Sequence, residues 1–376
     1  MPDESWAEQI AGSLRPTIDG RHEEIDDLRR IPDDIIEAMH EHRVFRTWLP
    51  DEFDGTEASL AAGLGLIEEL SYLDSAVGWV AMINLTTSYL AGLLDKEQSR
   101  LVFAGPREVT AGTTAPTGSA LPADGGISVS GRWAWGSGIH NSTWMTCAAV
   151  LRSDTGAQNV MAMIPIEEID VLDTWYVSGM RGTGSTDYET TDTFVPDGRY
   201  LTLDNLTPWS DRPLHRFAVF GLLGLAVSSV AQGIGRRALD EFRTLAAERT
   251  LLGTTSKINT SPVAQTGYAQ AEAAVLSARA FRSATIDEAW AQALDGRPTR
   301  EMRRLLRLAA TNSAFAAAGA IDQLWELAGG GVVYDTSLMQ RLQRDIHVVT
   351  QHVRVAHRTW EMAGAVALGQ PFEGQL

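Results

Sequence analysis

Apolar side chains recur at helical spacing through residues 1–110. The segment IPDDIIEAMHEHRVF places five of them close to one helix face, at Ile31, Ile35, Ile36, Met39 and Val44. Two further apolar stretches follow in LAAGLGLIEELSYLDSAVGWVAMINL. The pattern predicts an N-terminal helical domain over residues 1–110.

The pattern changes over residues 111–210, where Gly, Thr, Ser and Pro become more frequent. Short runs of alternating apolar and polar residues appear in ISVSGRWAW, NVMAMIP and YETTDTFV, and turn signals such as ADGG and SDTG separate them. This alternation is typical of strands that are buried on one face. It predicts a small antiparallel β domain over residues 111–210.

Residues 211–376 return to long helical segments. The segment EMRRLLRLAA has an apolar stripe at Met302, Leu305, Leu306, Ala309 and Ala310. Thr299 is the expected N-cap of that helix, and the glycines from Gly329 onward are expected to end it. Four such segments are expected, at residues 216–250, 262–294, 299–328 and 337–368. They predict a C-terminal four-helix bundle, so the whole chain is mainly α with a central β domain.

Composition and charge narrow the possible partners. The 376 residues are 44% hydrophobic and 21% charged, which excludes a mostly disordered chain. The net charge of −17 opposes binding to nucleic acid or to anionic membrane surfaces. The longest apolar stretch, residues 217–227, is shorter than the ~20 residues that span a bilayer. The acidic N-terminus does not resemble a secretory signal, so we expect a cytoplasmic protein.

The sequence predicts neither a metal site nor a nucleotide-binding domain of its own. Cys147 is the single cysteine, which excludes an intrachain disulfide and any site built from several cysteine ligands. His40 and His42 are two residues apart and point to different helix faces. The one near match to a dinucleotide fingerprint, residues 233–238, lies inside an apolar helix instead of after a strand. Any nicotinamide chemistry would therefore come from a separate protein.

The chain is predicted to be helical, then β, then helical, and four sequence motifs along it resemble the acyl-CoA dehydrogenase fold. They are GTTAPTGSA (112–120), SGRWAWGSGIHNSTW (130–144), SGMRGTGSTDYETTDTFVPDGR (178–199) and GGGVVYDTSLMQRLQRDIHVVTQH (329–352). The resemblance implies an N-terminal helical domain, a small antiparallel β domain that contacts flavin, and a C-terminal four-helix bundle.

Within this fold, the carboxylate base of the dehydrogenases is missing from both of its usual places. The last helical region has Thr350-Gln351-His352-Val353, and the start of the first bundle helix has His215-Arg216. The C-terminal segment instead resembles flavin-dependent monooxygenases such as the oxygenase components of phenol hydroxylases. That resemblance implies a homotetramer that receives reduced FMN, or alternatively FAD, from a separate NAD(P)H:flavin reductase. The enzyme would oxidise a small aromatic or polyketide-type substrate with O2 through a flavin C4a-hydroperoxide.

His352 is the first candidate catalytic residue. On a continuous helix over residues 337–368 it shares an apolar stripe with Val348, Val349 and Ala356, so it is expected to point into the bundle. A histidine in an apolar wall can titrate near neutrality and accept a proton from a substrate hydroxyl. The resemblance places the catalytic base at this position. The alternative is a core histidine without a catalytic role.

The resemblance also assigns flavin contacts. Ser137 would hold the hydrogen on flavin N5, while Thr114, Trp135 and Gly136 would lie against the ring; a serine in a glycine-rich turn is also a common structural feature. Arg249 would reach the flavin phosphates of a neighbouring subunit, where its fork could donate two parallel hydrogen bonds; the alternative is a solvated arginine near a helix end. Gly330 could let backbone N–H groups approach the phosphates, or its turn could simply be a helix C-cap with a flexible loop.

The helix over residues 79–88 would line the substrate pocket, with Asn84, Thr87 and Ser88 as candidates. Several phenol hydroxylases carry a second histidine where this chain has Thr87, so the substrate need not be a simple phenol. Two alternative functions remain at this stage: a FAD-dependent acyl-CoA dehydrogenase with a non-standard base, and a non-catalytic scaffold of the same fold.

Overall fold

The computed structural model describes residues 4–103, 105–154, 156–203 and 206–372. Its N-terminal part is helical, as predicted, with α4 packed against both α1 and α5. The helices are α1 (Glu4–Ile18), α2 (His22–Leu28), α3 (Asp33–Glu41), α4 (Leu60–Leu73), α5 (Ser75–Ser88) and α6 (Lys96–Phe103).

Side-chain caps fix where α4 and α5 begin. Ser59 accepts a hydrogen bond from the backbone N–H of Ala62 at the start of α4. Asp74 ends α4 and caps α5, because its carboxylate accepts from the N–H groups of Ala76 and Val77. The sharp turn between the two helices is therefore set by one buried carboxylate.

The central part of the chain forms one seven-stranded sheet in the order β5-β6-β2-β1-β3-β4-β7. The strands are β1 (Thr110–Ala123), β2 (Gly126–Trp133), β3 (Trp144–Ser153), β4 (Gly156–Pro165), β5 (Asp170–Leu172), β6 (Asp187–Pro196) and β7 (Tyr200–Thr202). Indole and phenol rings fill its core, where Trp133 stacks on Tyr188 with 5.5 Å between ring centroids.

The prediction of a purely antiparallel sheet was wrong at one pair of strands. β1 and β3 run parallel, whereas all other paired strands of the described sheet are antiparallel. A tight turn joins β1 to β2, but the segment after β2 crosses to the other edge of β1 before it enters β3. This crossover, residues 134–143, contains Ser137, and it brings the serine out at the end of the sheet.

The C-terminal part is the predicted bundle, in which α10 packs against α8, α9, α11 and α12. The helices are α7 (Pro213–Arg216), α8 (Val219–Glu248), α9 (Pro262–Asp295), α10 (Arg300–Ala328), α11 (Leu338–Val349) and α12 (Arg358–Ala367). The two predicted ends of α10 are confirmed: Thr299 caps it by accepting from Met302 N–H, and Gly329 ends it with a left-handed φ of 70°.

The predicted continuous helix over residues 337–368 was wrong. Residues 350–357 form turns between α11 and α12, and His352 lies in this break. The hydroxyl of Thr350 donates to the carbonyl of His347, which satisfies one acceptor of the final turn. Several β-branched residues of the segment disfavour a helix locally, and the apolar spacing alone does not report that. The break frees His352 from helical geometry.

Helix α8 is the one helix of the described residues with the length and composition to cross a bilayer. Its most apolar window has a mean hydropathy of 1.3, but 78% of that window is buried inside the protein. It is also the helix on which α4, α5 and α10 pack. A core helix of this kind passes the same test, so its apolar character follows from the packing.

A buried ion cluster, formed by Asp74, Arg341 and Asp345, joins the three parts of the chain. Arg341 of α11 contacts Asp74 at 2.7 Å and Asp345 at 3.8 Å. The two oxygens of Asp345 accept from the Ser75 hydroxyl and from the backbone N–H of Met180, in the segment before β6. Burial raises the pKa of Asp345 despite the opposing Arg341 charge. The cluster therefore fixes α5, α11 and this segment relative to one another.

We predict that Asp345→Ala lowers the free energy of unfolding by about 3–5 kcal/mol, because it leaves the buried Ser75 hydroxyl and Met180 N–H without an acceptor and removes one of the carboxylates that face Arg341. Urea denaturation followed by circular dichroism measures this. The matched control is Asp322→Ala, which removes an exposed 2.8 Å contact to His347 on the same helix α11 and should cost about 0–1 kcal/mol. Equal effects of the two substitutions would contradict the assigned role.

Candidate functional site

The structure brings Ser137 and His352 into contact with one indole ring, that of Trp79. Trp79 of α5 donates from Nε1 to the Ser137 hydroxyl at 3.0 Å. Its ring meets the His352 imidazole edge-on, with 5.5 Å between centroids and 76° between planes. Trp79 and Ser137 are buried, and His352 is half-buried. Three segments that are far apart in the sequence therefore meet at Trp79.

The direction of each hydrogen bond at Ser137 follows from a chain of three hydroxyls, formed by Thr183, Ser185 and Ser137. Thr183 donates to the carbonyl of Met180 at 2.8 Å, so it must accept from Ser185, whose oxygen is 2.6 Å away. Ser185 has then used its hydrogen and must accept from Ser137, also at 2.6 Å. Since a hydroxyl has one hydrogen and two lone pairs, Ser137 keeps one lone pair free. It can only accept from a further partner.

A backbone contact selects the tautomer of His352. The N–H of Arg354 donates to Nδ1 of the imidazole at 3.3 Å. A neutral imidazole that accepts at Nδ1 carries its hydrogen on Nε2. His352 is therefore arranged to donate a hydrogen bond from Nε2. Because that nitrogen already carries a hydrogen, it is suited to act as a hydrogen-bond donor and not as a base.

The imidazole of His352 is neutral at physiological pH. Burial lowers its pKa to about 4, and the positive charges of Arg354 and Arg307 add to the effect. The expectation that it titrates near neutrality was wrong, because burial of the imidazole disfavours its charged form and the charges of Arg354 and Arg307 add to that effect. The site thus presents a neutral donor over the range in which most enzymes work.

Trp135, Gly136 and Thr114 lie on or near the same end of the sheet. Trp135 has a left-handed φ of 66° and is 67% exposed. Gly136 donates from its N–H to Thr186 O, and a Cβ there would come within 2.8 Å of the Tyr188 ring. Thr114 is exposed in β1, where the pairing with β3 shifts register. The exposed indole and threonine leave a surface that a flat ring can cover.

Arg249 meets the glycine turn on a different part of the chain. A Cβ on Gly331 would lie 2.0 Å from Nη1 of Arg249, so a larger residue there would displace the guanidinium from its present position. That Nη1 is buried and has no hydrogen-bond partner within the described residues. Gly330 is exposed, with no atom near its missing Cβ. An unpaired guanidinium nitrogen beside an open glycine turn suits an anionic group such as phosphate.

The three predicted pocket residues of α5 make mostly internal hydrogen bonds. Asn84 is buried, donates to Thr110 O at 2.8 Å and accepts from Asn141 at 3.2 Å. Thr87 donates to backbone carbonyls, and Ser88 donates to Leu85 O at 2.6 Å. Asn84 and Thr87 connect α5 to β1 through Thr110 O, whereas the Ser88 bond lies within α5, and the role of all three in substrate binding stays a prediction.

The sequence analysis missed Thr183, Ser185 and Trp79 as site residues. Thr183 and Ser185 belong to the Gly-Thr-Gly-Ser turn, which carried only a resemblance in fold. Thr183 also lines a polar cavity of about 220 Å³ between α3, α5 and the turn after β2. No group of three or more potential metal ligands occurs among the described residues.

Comparison with known proteins gives matches over most of the chain. Residues 4–100 match the model of the acyl-CoA dehydrogenase N-terminal domain, and residues 225–357 match that of the C-terminal domain. Indole-3-acetate monooxygenase of Pseudomonas putida is 33% identical over 94% of this chain and 91% of its own length. The oxygenase component of the FADH2-dependent resorcinol hydroxylase of a Rhizobium species is 28% identical, over 93% of this chain and 89% of its own.

Among solved structures, the 3-HSA hydroxylase of Rhodococcus sp. RHA1 superimposes with a TM-score of 0.93 and 26% identity. The superposition covers 98% of each chain. The likeness therefore includes the helical parts, the sheet and the bundle together.

We predict that the imidazole resonance of His352 does not shift between about pH 8 and pH 5.5, because its pKa of about 4 keeps the ring neutral there. NMR titration of the eight histidines measures this, with His352→Gln identifying the resonance. An ordinary histidine titrates near pH ~6.5. A midpoint between pH ~6 and ~7 for His352 would show that the ring is solvated.

We predict that Ser185→Ala lowers the free energy of unfolding by about 1–3 kcal/mol, because the Ser137 hydroxyl loses its acceptor in a buried site. Thermal or urea unfolding measures the change. Thr183→Ser keeps all three hydrogen-bonded hydroxyls and serves as the control, for which we expect a smaller decrease in the free energy of unfolding. If Ser185→Ala were no less stable than Thr183→Ser, the assigned hydrogen-bond directions would be wrong.

Proposed function

We propose that this chain, which belongs to the acyl-CoA dehydrogenase family, oxidises an aromatic substrate at the site formed by Ser137, Trp79 and His352. The premise is that it is the oxygenase component of a monooxygenase that uses reduced flavin. The supporting observation is that two side chains contact the Trp79 indole. One is Ser137, which has donated its hydrogen and can only accept from a further partner, and the other is His352, which is neutral. Such a site can hold a reduced flavin hydrogen on one side and orient a substrate oxygen on the other.

The residues present fit a flavin. Ser137 has one free lone pair for the N5 hydrogen of the reduced ring, and the exposed Trp135 can cover the ring. The buried Nη1 of Arg249 beside Gly331 offers a partner for the phosphate. When bound, the reduced flavin supplies the electrons that activate O2 and transfers one oxygen atom to the substrate. The chain contributes binding, orientation and the exclusion of water.

His352 would donate a hydrogen bond from Nε2 to the substrate or to the oxygen being transferred. Its neutral form does not add a positive charge to the site, and the Arg354 N–H keeps its Nδ1 occupied. Holding the ring in one tautomer and against Trp79 fixes the direction of that donor. The role differs from that of the base expected at this position.

The geometry does not favour an acyl-thioester dehydrogenase. That reaction needs a free carboxylate to remove an α-proton. Asp345, the buried carboxylate of α11, is fully engaged by Ser75, Met180 and Arg341, and Glu361 is exposed on α12. In α7, just before α8, His215 is bonded to the Ser210 hydroxyl and the Tyr89 carbonyl through its two ring nitrogens, so it does not serve as a free base.

Oxygenase components of this kind work with a separate flavin reductase, which here would use NAD(P)H. That need supports a cytoplasmic location, where NAD(P)H is supplied. FADH2 is the first flavin to test because the resorcinol hydroxylase component uses it, and FMNH2, the expectation from sequence, is the second. Indole-3-acetate and resorcinol are the first substrates to test, since similar proteins act on them.

A homotetramer is part of the proposal. Helix α9 exposes four large apolar side chains along its length, at Val263, Leu276, Phe281 and Leu294. Leu252, in the turn after Arg249, is fully exposed as well. Apolar side chains that recur on an outer helix favour contact with another copy of the chain. Such a contact would bring a further subunit to the Arg249 turn.

The test supplies the protein with a flavin reductase, NADH, FAD or FMN, and each aromatic in turn. We expect a product that gains one oxygen atom from ¹⁸O2, detected by mass spectrometry. A yellow protein that acyl-CoA bleaches, without oxygenated product, would support the dehydrogenase instead. A protein that binds neither oxidised nor reduced flavin would support a scaffold.

We predict that His352→Ala lowers kcat by about 10²-fold, whereas His352→Gln retains more of the activity because its amide also donates a hydrogen bond. A general base would be lost equally in both variants, so equal losses would contradict the donor role. His347→Ala is the control, since His347 is on α11 but exposed and paired with Asp322. Product formation and NADH consumption measure kcat and coupling.

A further inference from the structure

Arg354 lies beside the candidate site without a counter-charge. It follows His352 by two residues in the break between α11 and α12, and its N–H holds the Nδ1 of His352. Its guanidinium carbon is 4.3 Å from the centroid of the Phe220 ring at the start of α8. The side chain is half-buried in this position. The guanidinium is therefore stacked on an aromatic face, and its charge is close enough to His352 to lower the pKa of that imidazole.

The charge on Arg354 is not neutralised by a carboxylate. Within the described residues no acidic side chain comes within ion-pairing distance of it, whereas Arg341 has Asp74 and Arg282 has Glu68. The charged group that influences the pKa of Arg354 is Arg307, which is also positive and donates to the backbone carbonyl of Arg354 at 3.3 Å. Burial and this neighbour lower the pKa of Arg354 to about 10, so it stays charged at neutral pH.

An uncompensated guanidinium is costly in a partly buried place, and the Phe220 ring offsets only part of that cost. The whole chain carries a net charge of −17, and two of its buried arginines, Arg282 and Arg341, are paired with carboxylates. A guanidinium without a carboxylate partner, in an otherwise acidic protein, is suited to bind an anionic ligand.

We infer that the substrate is an aromatic acid and that Arg354 binds its carboxylate. The inference rests on the proposed function. The planar fork of arginine matches a carboxylate with two parallel hydrogen bonds, and the Phe220 ring holds the fork in place. The aromatic part of the substrate then extends toward Trp79 and the Nε2 of His352. Carboxylate binding therefore sets which ring position faces the oxygen.

The test compares two ligands of the same shape, indole-3-acetate and its neutral amide, indole-3-acetamide. Calorimetry with the flavin-free protein gives the dissociation constant of each, and turnover with reductase and FAD gives each KM. We expect the protein to prefer the acid, and Arg354→Met to reduce that preference by about 10- to 100-fold. Arg354→Lys, which keeps the charge and loses the fork, should fall between the two.

Arg358→Met is the matched control, because Arg358 is exposed at the start of α12 and should leave the preference unchanged. An unchanged acid preference in Arg354→Met would overturn the inference. Competition of inorganic phosphate with the acid, together with weaker flavin binding in Arg354→Met, would also overturn it and assign Arg354 to the flavin.

The two proposals fail in different ways. If the wild-type protein oxidises only neutral aromatics and does not bind the acid, the substrate inference is wrong while the monooxygenase function stands. If neither ligand is oxidised but acid binding still depends on Arg354, the function is wrong and the anion site stands.

Discussion

The buried contact between Arg341 and the carboxylates of Asp74 and Asp345 is the constraint on which the site depends. Asp74 sets where α5 begins, and α5 carries Trp79. Asp345 binds the backbone of Met180, whose carbonyl accepts from Thr183, the first member of the hydroxyl chain that ends at Ser137. One ion cluster thus positions the Trp79 indole through Asp74 and orients the Ser137 hydroxyl through Asp345. Buried charges of this kind are costly unless every member is paired, which makes the arrangement rigid.

Rigidity at Trp79 matters because the two functional side chains do not touch each other. Ser137 bonds to the indole nitrogen, and His352 lies against the indole ring. The serine is left as an acceptor and the histidine as a neutral donor, so the two sides of the site have opposite hydrogen-bonding character. A reduced flavin with a hydrogen on N5 suits the first, and a substrate oxygen suits the second. Arg354 adds a fixed positive charge on the histidine side, where it selects among substrates.

Much of the fold followed from hydrophobic periodicity, because the helices and the strands bury one face each. The ends of α10 followed from Thr299 and Gly329 for the same local reasons. The break at residues 350–357 did not, since the apolar spacing continues through it while β-branched residues end the helix. The parallel pair of β1 and β3 depends on a crossover that strand patterns do not report. Ser137 and His352 were identified through resemblance, but Trp79, the hydroxyl chain and the charge at Arg354 arise only when distant segments meet.

The central claim is that a reduced flavin binds with its N5 against Ser137, while His352, across the Trp79 ring, faces the substrate. A crystal structure of the protein grown without oxygen in the presence of FADH2 tests it most directly. The account predicts the isoalloxazine ring with N5 within hydrogen-bonding distance of Ser137 Oγ, and His352 facing the same cavity across Trp79. A flavin bound elsewhere, or a Ser137 whose free lone pair is covered by packed protein, would contradict it.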